Sequence, residues 1–367
     1  MYNKFTYLIK TRFFLKKPEK KKILIFDRSG SDAFTNYLKK SDYSILDRRY
    51  ESINISILIK SLFRHDLKCK FSEKYFLTFI ESVKPKILLT FIENNPVFYS
   101  LKSKKINFKK IFVQNGLGFN EIIKKYNLDK KINKVDYMFT FSEDYSKIFS
   151  KYIKGRTIAI GGFKNNHVKI KKYSSNNDIL FISQWRERDT PEYPYNILGK
   201  KLIIFLNNFC YEKKKSFVII GAYNKDNKLE KKFYDDILKE QNKKCNYKFI
   251  PKKNIYANYK HVDNSKIIIT VDSALGYESF ARGSKVIFYN FRSKKNMLRY
   301  GWPGKYNNEG KFWLNSHNES KLKKMINYLL KINTKKWLQI KKITKHQKVF
   351  YDYKNTNFKK IINILKN

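Results

Sequence analysis

Only three cysteines occur in 367 residues, Cys69, Cys210 and Cys245, far apart and without CxxC or Cys/His ligand spacing. A disulfide scaffold and a structural zinc site are therefore not expected, and a reducing, cytoplasmic setting fits. Thirteen Gly and seven Pro are too few for long disordered or low-complexity stretches. Apolar runs stay well short of the roughly 18 residues that span a bilayer, so no transmembrane helix is expected. The opening stretch MYNKFTYLIKTRFFLKKPEKKK lacks the apolar core and small-residue cleavage site of a secretory signal. No Walker lysine motif occurs, and Gly161-Gly162-Phe163 has too few glycines for a dinucleotide fingerprint. The five histidines, His65, His167, His261, His317 and His346, form no triad or metal pattern, so neither a metal site nor a cofactor is expected.

Acidic residues are also scarce, 31 against 79 Lys plus Arg, for a formal net charge of +48. Such an excess suits a polyanion: nucleic acid, an anionic membrane surface or phosphorylated substrates. The abundance of Lys, Asn, Ile, Tyr and Phe also fits AT-rich coding. The cations are spread along the chain instead of gathered on one element, which argues against nucleic-acid binding. Residues 1–20 read as a basic leader. Phe5, Tyr7, Leu8, Phe13, Phe14 and Leu15 alternate there with lysines, as in a frayed arm or a segment lying on anionic lipid. Either leaves the chain cytoplasmic or peripheral on a membrane.

What is present is core-forming material, 42% hydrophobic and 17% aromatic residues. The length exceeds what a single core usually holds, so two domains are expected. Short apolar runs alternate with helix-period segments, the pattern of βαβ units. Strands are read at 22–26, 43–46, 87–92, 110–113, 137–141 and 157–160, then at 178–183, 217–220, 247–250, 267–271 and 285–289. Helices are read at 32–39, 53–63, 73–83, 97–104 and 143–152, then at 196–211, 229–241, 273–282, 321–332, 334–350 and 357–365. A polar stretch at 169–177 serves as linker. The fold class is thus α/β: two Rossmann-like domains over 21–168 and 178–333 facing a cleft, with helices over 334–367.

In parallel sheets, function gathers where strands end. Four such turns are unusually polar. Asp272-Ser273-Ala274-Leu275-Gly276-Tyr277-Glu278 follows the apolar run IIITV. Free amides at a helix start favour a phosphate, with Gly276 permitting close approach and Glu278 available to sugar hydroxyls; an ordinary N-cap explains the same residues. Ser183-Gln184-Trp185-Arg186-Glu187-Arg188 offers Arg186 or Arg188 as a fork for phosphate, or a plain solvated loop with Trp185 buried between domains. Gln114-Asn115-Gly116-Leu117-Gly118 is a left-handed turn or an acceptor-positioning one. Glu93-Asn94-Asn95-Pro96 offers a carboxylate as general base, or a helix-capping acid. Arg299, Tyr300, Trp302 and Pro303 make an aromatic-basic loop suited to a sugar, a base or core packing.

Taken together, KILIFD, LLTFIENNPVFYSL, IFVQNG, FTFSEDYSKIF, ILFISQWRE and ITVDSALGYESFARGSKVIFY resemble bacterial surface-carbohydrate (O-antigen or capsule) biosynthesis proteins of the GT-B glycosyltransferase type. Order and spacing over residues 20–330 carry the likeness. It implies two Rossmann-like domains, with a nucleotide-sugar donor held mainly by the second. Asp272, Ser273, Gly276, Glu278, Ser183 and Arg186 then fall at the donor, and Gln114, Asn115, Gly116 and Asn94 at the acceptor, a glycan or lipid-linked glycan. A more distant similarity is to CDP-glycerol glycerophosphotransferases and polysialyltransferases. The glycerophosphotransferase pattern implies a catalytic His before the glycine, where this chain has Asn115, so Glu93 or Asp27 is the candidate base. Two rivals share the composition: a nucleotide-sugar epimerase of the two-domain type, and a non-catalytic polyanion binder.

Overall fold

The computed structural model describes residues 11–49, 51–93, 95–117, 128–171, 177–190, 194–222, 227–291, 308–343 and 349–367. The chain divides into two compact units, Met1–Phe163 with Asp352–Asn367, and Lys164–Tyr351.

The first unit runs β1 (Arg12–Phe14), β2 (Ile23–Phe26), β3 (Tyr43–Leu46), β4 (Ser52–Asn54), α1 (Ile55–Leu62), α2 (Phe71–Val83), β5 (Ile87–Thr90), α3 (Pro96–Ser100), β6 (Lys109–Val113), β7 (Lys134–Thr140), α4 (Glu143–Tyr152) and β8 (Lys154–Ala159). Six strands form a parallel sheet in the order β3-β2-β5-β6-β7-β8. β2 and β5, ILIF and ILLT, are buried along their whole length, as strands covered on both faces must be. α2 stops at Lys84, which takes a left-handed φ of 52° just before Pro85. Ser142 caps α4, accepting from Tyr145 N at 3.4 Å, with Glu143 and Asp144 in the first turn where the helix dipole favours acids.

A short helix, α5 (Phe163–His167), leads into the second unit. There follow β9 (Asn177–Ile182), α6 (Tyr195–Lys213), β10 (Phe217–Ile220), α7 (Asn227–Lys239), β11 (Tyr247–Ile250), α8 (Tyr259–Asp263), β12 (Ser265–Thr270), α9 (Ala274–Ala281), β13 (Val286–Tyr289), β14 (Trp313–Leu314), α10 (Glu319–Lys331) and α11 (Thr334–Ile343). Its parallel sheet has the order β11-β10-β9-β12-β13-β14. The chain then returns to the first unit with α12 (Thr356–Lys366), whose Phe358 packs among Phe34, Phe139 and Phe163.

Each sheet reverses its winding once. In the first unit the reversal falls between β2 and β5, in the second between β9 and β12. Such switch points leave a crevice at the carboxyl ends of the strands.

Three sequence expectations need correction. The segment read as a helix over 32–39 has only a 3-10 turn at Ser31–Ala33. Thr35 Oγ1 bonds the Asp32 carbonyl, and Phe34 and Tyr37 are drawn into the aromatic cluster with Phe163 and Phe358. The helix read to Lys104 ends at Ser100, because Lys110 Nζ takes the carbonyls of Tyr99 and Leu101 and turns the chain back into β6. Within the described part of the basic leader, residues 11–20, Arg12–Phe14 form β1, paired in parallel with β4, Phe13 opposite Ile53. Residues 172–176 of the linker stretch lie outside the described residues, as do Asn94, Gly118, Arg299, Tyr300, Trp302 and Pro303. Among the described residues no helix is long and apolar enough to cross a membrane.

Candidate functional site

At the switch point of the second unit, the turns after β9 and β12 are tied together. Gln184 Nε2 donates to Asp272 Oδ1 at 2.6 Å, and Asp272 N donates to Gln184 Oε1 at 3.0 Å. Tyr195, on the first turn of α6, adds its hydroxyl to Asp272 Oδ1 at 3.3 Å. Asp272 is buried beneath the turn. Its carboxylate therefore braces the site from below.

Ser183 is likewise turned inward. Its Oγ lies 2.5 Å from Glu230 Oε1 and 2.6 Å from Tyr234 Oη, and accepts from Trp185 N at 3.1 Å. Glu230 also accepts from Ala222 N at 2.8 Å, so one buried acid of α7 joins the turns after β9 and β10. Sequence reasoning passed over Glu230. The signal was an acid on the buried stripe Glu230, Tyr234, Ile237, Leu238 of a lysine-rich helix.

Above these braces is a cavity of about 310 Å³, lined by Gln184, Trp185, Arg186, Tyr195, Lys252, Asn258 and Ser273 among others. Arg186 lies over the Tyr195 ring at 4.9 Å, and its main chain exchanges hydrogen bonds with the Asn196 side chain at 3.0 and 2.7 Å. Asp189 caps α6 through Asn196 N and Ile197 N, which fixes the loop on that helix. Ser273 precedes α9 but gives it no side-chain cap, and the first N–H groups of a helix have no partner within it. Lys252, two residues beyond β11, is lowered to about 8 by burial, assisted by the charge of Lys164 and opposed by Glu278. Asn258 lines the same cavity, is 3% exposed, and among the described residues neither atom of its amide makes a hydrogen bond.

Gly276 and Glu278 face elsewhere. A Cβ on Gly276 would stand 2.5 Å from Thr270 Cγ2, so the glycine lets α9 pack on β12. Glu278 is buried, accepts from Tyr259 Oη at 2.8 Å, and is raised by burial against the pull of Lys164. Arg282, at the end of α9, joins Asp263, the Asn165 side chain and the Val168 carbonyl, and anchors this helix within its unit.

At the switch point of the first unit, Asp27 follows β2 and Glu93 follows β5. Glu93 is buried; Oε2 accepts from Asn115 N at 3.0 Å and Oε1 from Gly116 N at 2.9 Å. Gln114 ties the same turn to β7, with Oε1 accepting from Phe141 N at 2.9 Å and Nε2 donating to the Gly116 carbonyl at 2.7 Å. Asp27 takes a left-handed φ of 88°, uncommon for a residue with a Cβ. Its Oδ1 accepts from Ser29 N at 2.9 Å, while Oδ2 makes no hydrogen bond among the described residues and stands 3.4 Å from Arg49 Nε.

Two Rossmann-like units, each with a polar crevice at its strand ends, define an α/β fold of the GT-B type. Two solved structures bear this out. The wall teichoic acid polymerase TagF is 12% identical over 95% of this chain and 89% of its own, with a TM-score of 0.54. The UDP-GlcNAc 2-epimerase from Neisseria meningitidis, bound to UDP-GlcNAc, is 12% identical over 94% of this chain and 99% of its own, with a TM-score of 0.53. The chain spans 59% of a longer neighbour, TarM, with 82% of its own length, 14% identity and a TM-score of 0.46. At these identities the likeness is one of fold. No curated protein matches the chain. The chain belongs to the family described as "putative O-antigen biosynthesis protein", whose model matches residues 111–366.

Proposed function

We propose that the protein is a glycosyltransferase of O-antigen or related surface-glycan assembly, and that the cavity of the second unit holds its nucleotide-sugar donor. Asn258 is the observation that carries this reading. A buried amide left without partners costs about 1–3 kcal/mol, and nucleotide or sugar hydroxyls would satisfy both of its atoms. Arg186, Lys252 and the start of α9 supply positive potential for the donor's phosphate, so no metal ion is needed to offset the leaving charge.

In this reading the acceptor hydroxyl attacks the anomeric carbon, the bond from that carbon to the phosphate oxygen breaks, and a carboxylate takes the hydroxyl proton. Asp27 suits that last task better than Glu93. Both oxygens of Glu93 already accept from backbone N–H groups, whereas Asp27 Oδ2 makes no hydrogen bond among the described residues and stands beside Arg49, a half-exposed side chain that must move aside for an acceptor. Glu93 and Gln114 then position the Asn115-Gly116 turn.

The test is turnover of a nucleotide-sugar panel with and without a lipid-linked glycan acceptor. Nucleotide release that requires acceptor supports transfer. Conversion of the donor sugar to an isomer without acceptor would make the protein an epimerase. No turnover, with DNA binding that falls steeply with salt, would make it a polyanion binder.

A further inference from the structure

The part of the first unit formed by β1, β4, α1 and α2 has no task in the proposed chemistry. We propose that it is a docking surface for an anionic lipid bilayer. Six of the fourteen large apolar side chains exposed among the described residues fall within 13–63. Phe13, Phe14 and Leu15 lie on and just after β1, and Ile59, Leu62 and Phe63 on and just after α1, each about half exposed or more. Scattered single apolar residues need no explanation, but a cluster of this density does.

The fold brings the two groups side by side. β1 pairs with β4 so that Phe14 stands opposite Asn54. Asn54 is also the N-cap of α1, and its Nδ2 donates to the Lys16 carbonyl at 2.7 Å. α1 in turn packs on α2, and Tyr75 and Phe79 of α2 line a cavity with Phe14, Lys16 and Lys17.

Charge identifies the partner. Arg12, Lys16, Lys17, Lys20, Lys60, Lys68 and Lys70 are exposed on these elements and the loops that follow β1 and α1, against two exposed acids, Glu19, which pairs with Lys16, and Asp66. Apolar side chains with interspersed lysines match a bilayer surface, the former entering the acyl boundary and the latter meeting lipid phosphates. A second copy of the chain would oppose like charges at this face. A nucleic acid would leave the apolar side chains in water.

The full chain should float with vesicles of phosphatidylcholine mixed with phosphatidylglycerol and stay behind with phosphatidylcholine alone. Leu62→Ser/Phe63→Ser should cut partitioning by about tenfold or more, since each side chain loses part of its apolar transfer. Lys16→Ala/Lys17→Ala should also weaken it. Lys323→Ala/Lys324→Ala, the same charge loss on α10, should not. Melting temperatures of all variants exclude misfolding. Equal flotation of the apolar variant, equal loss in both lysine pairs, or a dimer that Leu62→Ser/Phe63→Ser dissociates would each overturn the proposal. Nucleotide binding measured on the same proteins keeps this result separate from the donor-site reading.

Discussion

Gln184 and Asp272 hold each other by two reciprocal hydrogen bonds, side chain to side chain at 2.6 Å and main chain to side chain at 3.0 Å. They stand at the ends of β9 and β12, the pair of strands between which the second sheet reverses its winding. The floor of the cavity is thus fixed by one amide and one acid. Gln184→Ala leaves the Asp272 N–H without that partner, and is expected to cost about 1–3 kcal/mol of stability. Gln184→Glu sets two carboxylates together and should cost more. The folded state then favours the protonated acid, so stability lost at neutral pH should return on acidification. Urea unfolding at pH 5 and pH 7.5 measures both effects.

Gly276 allows α9 to lie directly on Thr270. Gly276→Ala introduces a Cβ 2.5 Å from Thr270 Cγ2 and should destabilise by about 1–3 kcal/mol. Thr270→Ser removes that methyl. The double variant should therefore be less destabilised than the sum of the single ones, a coupling that a double-mutant cycle reads directly.

Glu93 and Asp27 separate in their consequences. Glu93→Gln replaces one of two acceptor oxygens by a donor facing a backbone N–H, so stability should fall by about 1–3 kcal/mol. Asp27→Asn should leave nucleotide affinity within about twofold and lower turnover by about 100-fold or more, the usual scale for removing a general base. Melting curves, donor binding and transfer rates of the two variants distinguish a positioning acid from a catalytic one.

Lys252 gives the donor site a pH signature. Its folded value of about 8 means that its charge is lost as pH rises through 8, where an ordinary lysine stays protonated to about 10. Donor affinity should fall over that range, and Lys252→Gln should flatten the profile at weaker affinity. Stability moves the other way. Between about 8 and about 10.4 the unfolded chain binds a proton that the folded chain has released, so raising pH favours the fold. Lys110 and Lys341, also brought to about 8 by burial, share that stability slope, which makes the affinity profile the specific readout.

The sheets were legible because strands buried on both faces are written as apolar runs. ILIF, ILLT, FVII and VIFY can hardly be anything else. β1, β4 and β14 are two or three residues long, too short for periodicity to register. Strand ends could likewise be located, but not which polar side chain faces the cavity and which braces it. That division depends on contacts such as Ser183 with Glu230, 47 residues apart, or Gln184 with Asp272, 88 apart. Lys252 and Asn258 passed unnoticed for a related reason. Pro251-Lys252-Lys253 looks like any basic loop, and an asparagine in this asparagine-rich chain carries no signal until its burial is known.

The most direct test of the donor site is calorimetric titration of the full chain with CMP-, CDP-, UDP- and GDP-sugars, alongside Asn258→Ala and Lys252→Gln. One nucleotide class should bind with one-to-one stoichiometry, and each variant should weaken it by about tenfold or more, the equivalent of losing one buried hydrogen bond or charge contact. Binding of none of the four, or binding unchanged in both variants, would contradict it.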